Sequence, residues 1–290
     1  MKDLLTSAWA AVPGWAEITA GIRAARLAQL RTQPEVNLAQ VRAGLRQRLL
    51  AGQPLDDTVV ADVGRAQQVE AAAVTAATML RDIGDELEAD LDLLRRDGAD
   101  LALSRLADEL PPILIGVRDL ESALGGIESA DAAIAAGGKA VTAWAELQEL
   151  VGRHVALRRV QATIVSHGYG GAGRLGDAAE AANAHRDVEL FGYLRDAGEH
   201  LGDAADQARP AWPDDPTAFL RWLAQPGRQA WIPTCTELRA AAAEHRQIVA
   251  AEAYDRATAR TRPRTEDGQL SIRDRSTIRA GLASRRAATN

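Results

Sequence analysis

Gly168, Gly170 and Gly173 stand at the spacing G-x-G-x-x-G. In a dinucleotide-binding fold that spacing lies between a strand and a helix, where backbone amides at the helix start hold a pyrophosphate. The preceding Ala162-Thr-Ile-Val165 is apolar and β-branched enough to be read as such a strand, and Asp187-Val-Glu-Leu-Phe191 as a second. No further strand–helix units follow, and glycine-rich stretches produce this pattern by chance. A hinge over residues 166–177 is the better reading, with a nucleotide-binding enzyme using the 168–176 loop as an alternative.

The other reactive side chains are few. Cys235 is the only cysteine, which excludes an internal disulfide and a cysteine-based zinc site. It stands at an expected helix start, where the local dipole lowers a thiol pKa. His245, ten residues on, is too far around that helix to act as its base. A buried, inert thiol is therefore expected. The five histidines form no H-E-x-x-H or Glu-x-x-His pair, so a di-metal bundle site is not expected either. His154 falls beside an apolar stripe and reads as a core histidine. No cofactor and no catalytic constellation are expected.

Charge gives a different signal. The net charge of −6 is unevenly spread. Residues 256–290 hold nine arginines against Glu266, Asp267 and Asp274, leaving −12 on the first 255 residues. An acidic body with a basic tail is an interaction pattern. Candidate partner-binding residues are Arg260, Arg262, Arg264, Arg273, Arg275, Arg279, Arg285 and Arg286 in the tail. Their expected counterparts are Asp82, Asp85, Glu86 and Asp90, on an acidic strip that also holds Glu88, Asp92, Asp97 and Asp100. The tail has three readings: a disordered, solvated end; a segment that docks on an acidic protein surface, such as the strip of a neighbouring copy; or one that neutralises nucleic-acid phosphates. No aromatic residue follows Tyr254, so stacking on bases is not supported.

These residues need elements to position them, and the elements expected are all helical. Aromatics are only 4% of the chain, and its alanine-rich composition favours helix over strand. Residues 58–97 contain no proline, and Val59, Val63, Ala66, Val69, Ala73, Ala76, Leu80, Ile83, Leu87, Leu91 and Leu94 recur every three or four positions. That period keeps one stripe turned to a partner helix. Forty residues make a rod of roughly 60 Å. Gly98 is expected to break it, and Pro111-Pro112 to bend or end the helix that follows. Residues 139–165 are expected to form a second long helix, with Val141, Trp144, Leu147, Val151 and Val155 on one side, lying antiparallel to the rod. Trp9 and Trp15 read as core anchors. Asp177 would cap a helix running to about residue 209, Asp215-Pro216 a short one, and Thr234 with Glu237 a third.

The expected fold is thus all-α, an elongated helical bundle or antiparallel coiled-coil-like hairpin with smaller helical units at each end. Its expected divisions are 1–54, a hairpin over 55–165, the hinge at 166–177, a helical unit over 178–261 and the tail at 262–290. No segment approaches a membrane span, so a cytoplasmic or particle-associated protein is expected. The function expected is that of a non-enzymatic structural or assembly protein of a multi-copy particle, of bacterial or phage capsid, tail or scaffold type. A nucleic-acid-associated protein is the first alternative.

Overall fold

A computed structural model describes residues 2–32, 38–53, 57–170, 178–195, 197 and 212–261. The chain is all-α. Its described helices are α1 (Lys2–Trp9), α2 (Trp15–Arg31), α3 (Leu38–Leu50), α4 (Asp57–Ala107), α5 (Leu110–Leu124), α6 (Ala130–Ala136), α7 (Gly138–Gly168), α8 (Ala178–Phe191), α9 (Pro216–Leu223) and α10 (Cys235–Thr261). Among the described residues the only β pairing is an isolated antiparallel bridge between Leu194 and Ala230. Residues 1–245 form one compact unit and residues 246–290 a second. The boundaries expected at 54, 165 and 177 fall inside the first.

Local chemistry explains several helix ends. The expected rod is longer than its apolar ladder, because α4 runs 51 residues and passes straight through Gly98. Gly98 is there for packing rather than to end the helix. A methyl at this position would overlap the Val12 side chain. The bend comes later, between Ala107 and Leu110. Pro111 and Pro112 lie in the first turn of α5, where their missing amide protons would have found no partner within the helix. Gly125, at φ 53°, closes α5 in the left-handed conformation. Ser129 caps α6 by accepting from the amide of Ala132 at 3.2 Å, and Asp215 caps α9 by accepting from Ala218 at 2.8 Å. Thr234 and Glu237 make the expected reciprocal box. The Thr234 amide donates to Glu237 Oε2 at 2.9 Å, and the Glu237 amide to Thr234 Oγ1 at 3.1 Å.

The core does not lie under the ladder at 59–94. Only Val59, Ala66 and Leu91 of that ladder are buried, while Val69 and Ile83 are 40% and 47% exposed. The deep core begins where the ladder stops. It gathers Ala102, Leu103 and Leu106 of α4, Ile113 and Val117 of α5, and Leu147, Leu157 and Ile164 of α7, with α8, α9 and the start of α10 closing around them.

The expected partnership also changes. α2, not α7, is the neighbour along the acidic part of α4. Trp15 lies under the Arg95 guanidinium at 5.6 Å, Leu87 packs against Gly21, and Arg26 pairs with Glu88. Trp15 at the start of α2 meets Arg95, whereas Gly21 and Arg26 further along meet Leu87 and Glu88 earlier in α4, so the two are antiparallel. α7 joins α4 at the other end, where Ala99 packs on Gly168.

The helix after residue 177 also ends sooner than expected. α8 stops at Phe191, because the chain at Gly192 passes tight against its own helix and α7. A Cβ there would stand 2.5 Å from the Val188 carbonyl oxygen and 3.1 Å from Gln161 Nε2. The chain then pairs across the bridge, with the Arg195 amide donating to Gln229 O at 3.0 Å and the Trp231 amide to Tyr193 O at 3.2 Å.

Candidate functional site

Asp82, Asp85, Glu86 and Asp90 are all exposed on one side of α4, as the charge pattern predicts. Four neighbours from the same acidic run have different fates. Asp97 is exposed. Glu88 is taken by Arg26, and Asp92 pairs with Arg95 at 2.9 Å. Asp100 caps α10 from across the fold, accepting from the Cys235 amide and from Thr236 Oγ1, both at 2.6 Å. A carboxylate aimed at the free amides of a helix start is stabilised by those hydrogen bonds and by the helix dipole. The strip at residues 82–90 is therefore the solvated remnant of a longer acidic run. Its expected counterparts, Arg262, Arg264, Arg273, Arg275, Arg279, Arg285 and Arg286, lie outside the described residues, as does the side chain of Arg260.

Exposed apolar side chains also line this stretch, Met79 and Ile83 on the face of the acids and Val74 opposite Ile83. Val74 and Met79 are each 61% exposed, with Ile83 and Leu93 beside the acids. No residue of α4 between Ala66 and Leu91 is buried. The flanking α3 buries none of its described side chains, and its Leu49 and Leu50 are exposed.

The glycine fingerprint lacks its required setting. Ala162–Val165, read above as a strand, is the last part of α7, and Asp187–Phe191 is the last part of α8. Gly168 itself is a packing residue. It is buried at the end of α7, and a Cβ would collide with Cys235 Sγ and stand 2.7 Å from Ala99 Cβ. Residues 171–177 of the loop and hinge, Gly173 among them, lie outside the described residues.

Cys235 is buried at the start of α10, and burial together with the Asp100 carboxylate pushes its thiol up to about 12. The helix-start dipole is thus overridden, and the thiolate is not formed near neutral pH. His245 lies against the Phe191 ring, 5.4 Å between centroids. Among the described residues no three of His, Cys, Asp and Glu group to hold a metal ion, and no helix is long and apolar enough to cross a membrane.

The polar centre that the sequence reading missed is inside α7. His154, Arg158 and Gln161 are 4%, 7% and 0% exposed. Arg158 donates from Nε to His154 Nε2 at 3.1 Å, and from Nη1 to Gln161 Oε1, Gly192 O and Trp231 O at 2.8, 2.9 and 3.0 Å. Its guanidinium lies over the Tyr193 ring at 4.8 Å, and among the described residues Nη2 has no hydrogen-bond partner. One cation thereby ties both sides of the 194–230 bridge to α7. Burial lowers its pKa to about 10, so it remains charged. Burial, and then the Arg158 charge, push His154 down to about 3, so the histidine is neutral and accepts. Around it Tyr193, Trp212, Phe219 and Trp222 touch one another with ring centroids 5.4–6.1 Å apart.

A sequence signal for this centre exists. Leu147, Val151, His154, Arg158, Gln161 and Val165 step by four and three along one buried line. The expected stripe, ending on Val155, left that line one residue too late. No family model matches the chain, and no curated protein or solved structure is similar to it.

Proposed function

We propose that this chain is a non-enzymatic structural or assembly protein used in several copies, of the kind that builds a bacterial or phage capsid, tail or scaffold. The observation that supports this is the state of α4 between Ala66 and Leu91. A helix stretch with no buried residue presents Val69, Val74, Met79 and Ile83 at 40–61% exposure beside a row of carboxylates. Met79 and Ile83, one turn apart on the face that carries Asp82, Glu86 and Asp90, favour burial against another protein surface. A second copy of the same chain is the partner proposed. The arginine-rich tail would supply the charge complementary to Asp82, Asp85, Glu86 and Asp90.

Mass by light scattering at low and high salt tests this, with the full chain, a chain lacking residues 262–290, and the double variant Met79→Glu/Ile83→Glu. The full chain is expected to be multimeric, tail removal to weaken assembly most at low salt, and the double variant to be monomeric with unchanged helicity. A full chain that stays monomeric at every concentration, indifferent to salt and to tail removal, sinks the reading.

A further inference from the structure

A groove of about 370 Å³ opens between α5, the 194–230 bridge and the start of α10. Its floor is apolar, formed by Leu110, Leu114 and Ile232, all buried, with Ile115 at its mouth 52% exposed. Two guanidinium groups line it. Arg118 is held by its Nε, which donates to Ala224 O at 2.6 Å, and its terminal nitrogens make no hydrogen bond among the described residues. Arg195 lies flat on the Trp231 ring at 4.7 Å, and that ring is itself held by Nε1 donating to Phe191 O at 3.0 Å. Neither arginine pairs with a carboxylate among the described residues. The one acid in the lining, Glu237, has its Oε2 taken by the Thr234 amide and hydroxyl at 2.9 and 3.0 Å. An apolar floor with a few convergent, oriented polar groups is the usual composition of a small-molecule site, and this volume lies near the lower end of the range, about 300 Å³.

We propose that this groove binds a small acid with an apolar body, its chain on Leu110, Leu114 and Ile232 and its carboxylate between Arg118 and Arg195. Both arginines are exposed, and the planar guanidinium fork suits a carboxylate arriving from solvent. The site does not depend on the assembly reading, because none of its residues lies on the exposed side of α4 between Ala66 and Leu91.

Calorimetric titration of the full chain with octanoate provides the test, with octan-1-ol as the uncharged control. Saturable one-site binding of octanoate is expected, at least tenfold tighter than the alcohol. Arg118→Gln and Arg195→Gln are each expected to weaken it tenfold or more at unchanged helicity. Ile115→Glu, which places a carboxylate at the mouth from an already exposed position, is expected to abolish it. Absence of octanoate binding at millimolar concentration overturns the proposal. So does equal affinity for the alcohol, or undiminished binding in the arginine variants. A peptide with a free C-terminal leucine that binds where octanoate fails would also overturn it, by assigning the groove to chain ends rather than small acids.

Discussion

The two parts of α4 share one backbone and differ in almost everything else. From Asp57 to Asp97 the helix is covered thinly, by α2 and α3, and its apolar positions are mostly half-buried. From Gly98 to Ala107 it enters the centre of the molecule, where Ala102 and Leu103 reach 0% exposure. The ten-residue end carries the fold, whereas the forty-one-residue start presents a surface. A long apolar ladder therefore measures how far a helix runs and leaves open how deeply it is buried.

The largest expected effect separates the two parts by cavity formation. Leu103→Ala is expected to cost about 2–5 kcal/mol, because a fully enclosed leucine leaves a void that its neighbours fill only partly. Leu80→Ala, at a half-buried position, is expected to cost roughly 1 kcal/mol. Equal losses in urea unfolding would erase the distinction between the two parts.

The helix's own glycines sharpen the same contrast, because their effects should differ in sign. Gly98→Ala forces a methyl onto Val12 and is expected to destabilise by about 1–3 kcal/mol. No atom lies within 4 Å of a Cβ built at Gly84. Gly84→Ala is therefore expected to stabilise by about 0.5–1 kcal/mol, since alanine loses less freedom on becoming helical. Thermal melting of the two variants checks both signs.

Acid should act on the core. His154 is held down at about 3 and His167 at about 4, the latter by burial and then by the Arg95 charge, with Asp92 opposing. Both start from an ordinary value of 6.5. The unfolded chain therefore binds more protons between pH 6.5 and these values, and stability falls as pH falls through that window. A single fully titrating histidine contributes at most about 1.4 kcal/mol per pH unit. His154→Gln retains an acceptor for Arg158 Nε and is expected to flatten the stability profile between pH 6 and 4 by about 1 kcal/mol per unit. An unchanged slope would show that His154 is not the proton acceptor. Amide exchange is expected to place the acid-sensitive opening in α7 and the end of α4, rather than at residues 67–90.

Several features were readable in the residues because their causes are local. The helical class follows from an alanine-rich composition with few β-branched runs. The caps at Asp215 and at Thr234 with Glu237 follow from side chains reaching backbone amides within three residues. The acids at 82, 85, 86 and 90 are exposed, as a run of charges on one side of a helix implies. The centre at Arg158 was missed for the opposite reason. Charged residues are rarely buried, so Arg158 and Gln161 were passed over, and His154 read as a lone core histidine, even though all three continue the step from Leu147 and Val151. Their acceptors at Gly192 and Trp231 are 34 and 73 residues from Arg158. The groove arginines were missed likewise, since Arg118 and Arg195, far apart in sequence, come to line one groove only in the folded chain.

The sequence by itself determined that this chain is helical, where several helices begin and which face of α4 is acidic, because those depend on contacts within a turn or two. Tertiary structure alone decided that Gly98 and Gly168 are packing sites, that Asp100 caps a helix 135 residues away, and that Arg158 is buried. Each of these requires two distant stretches to occupy the same few ångströms. Spacing along one helix carries no information about which distant stretch arrives there.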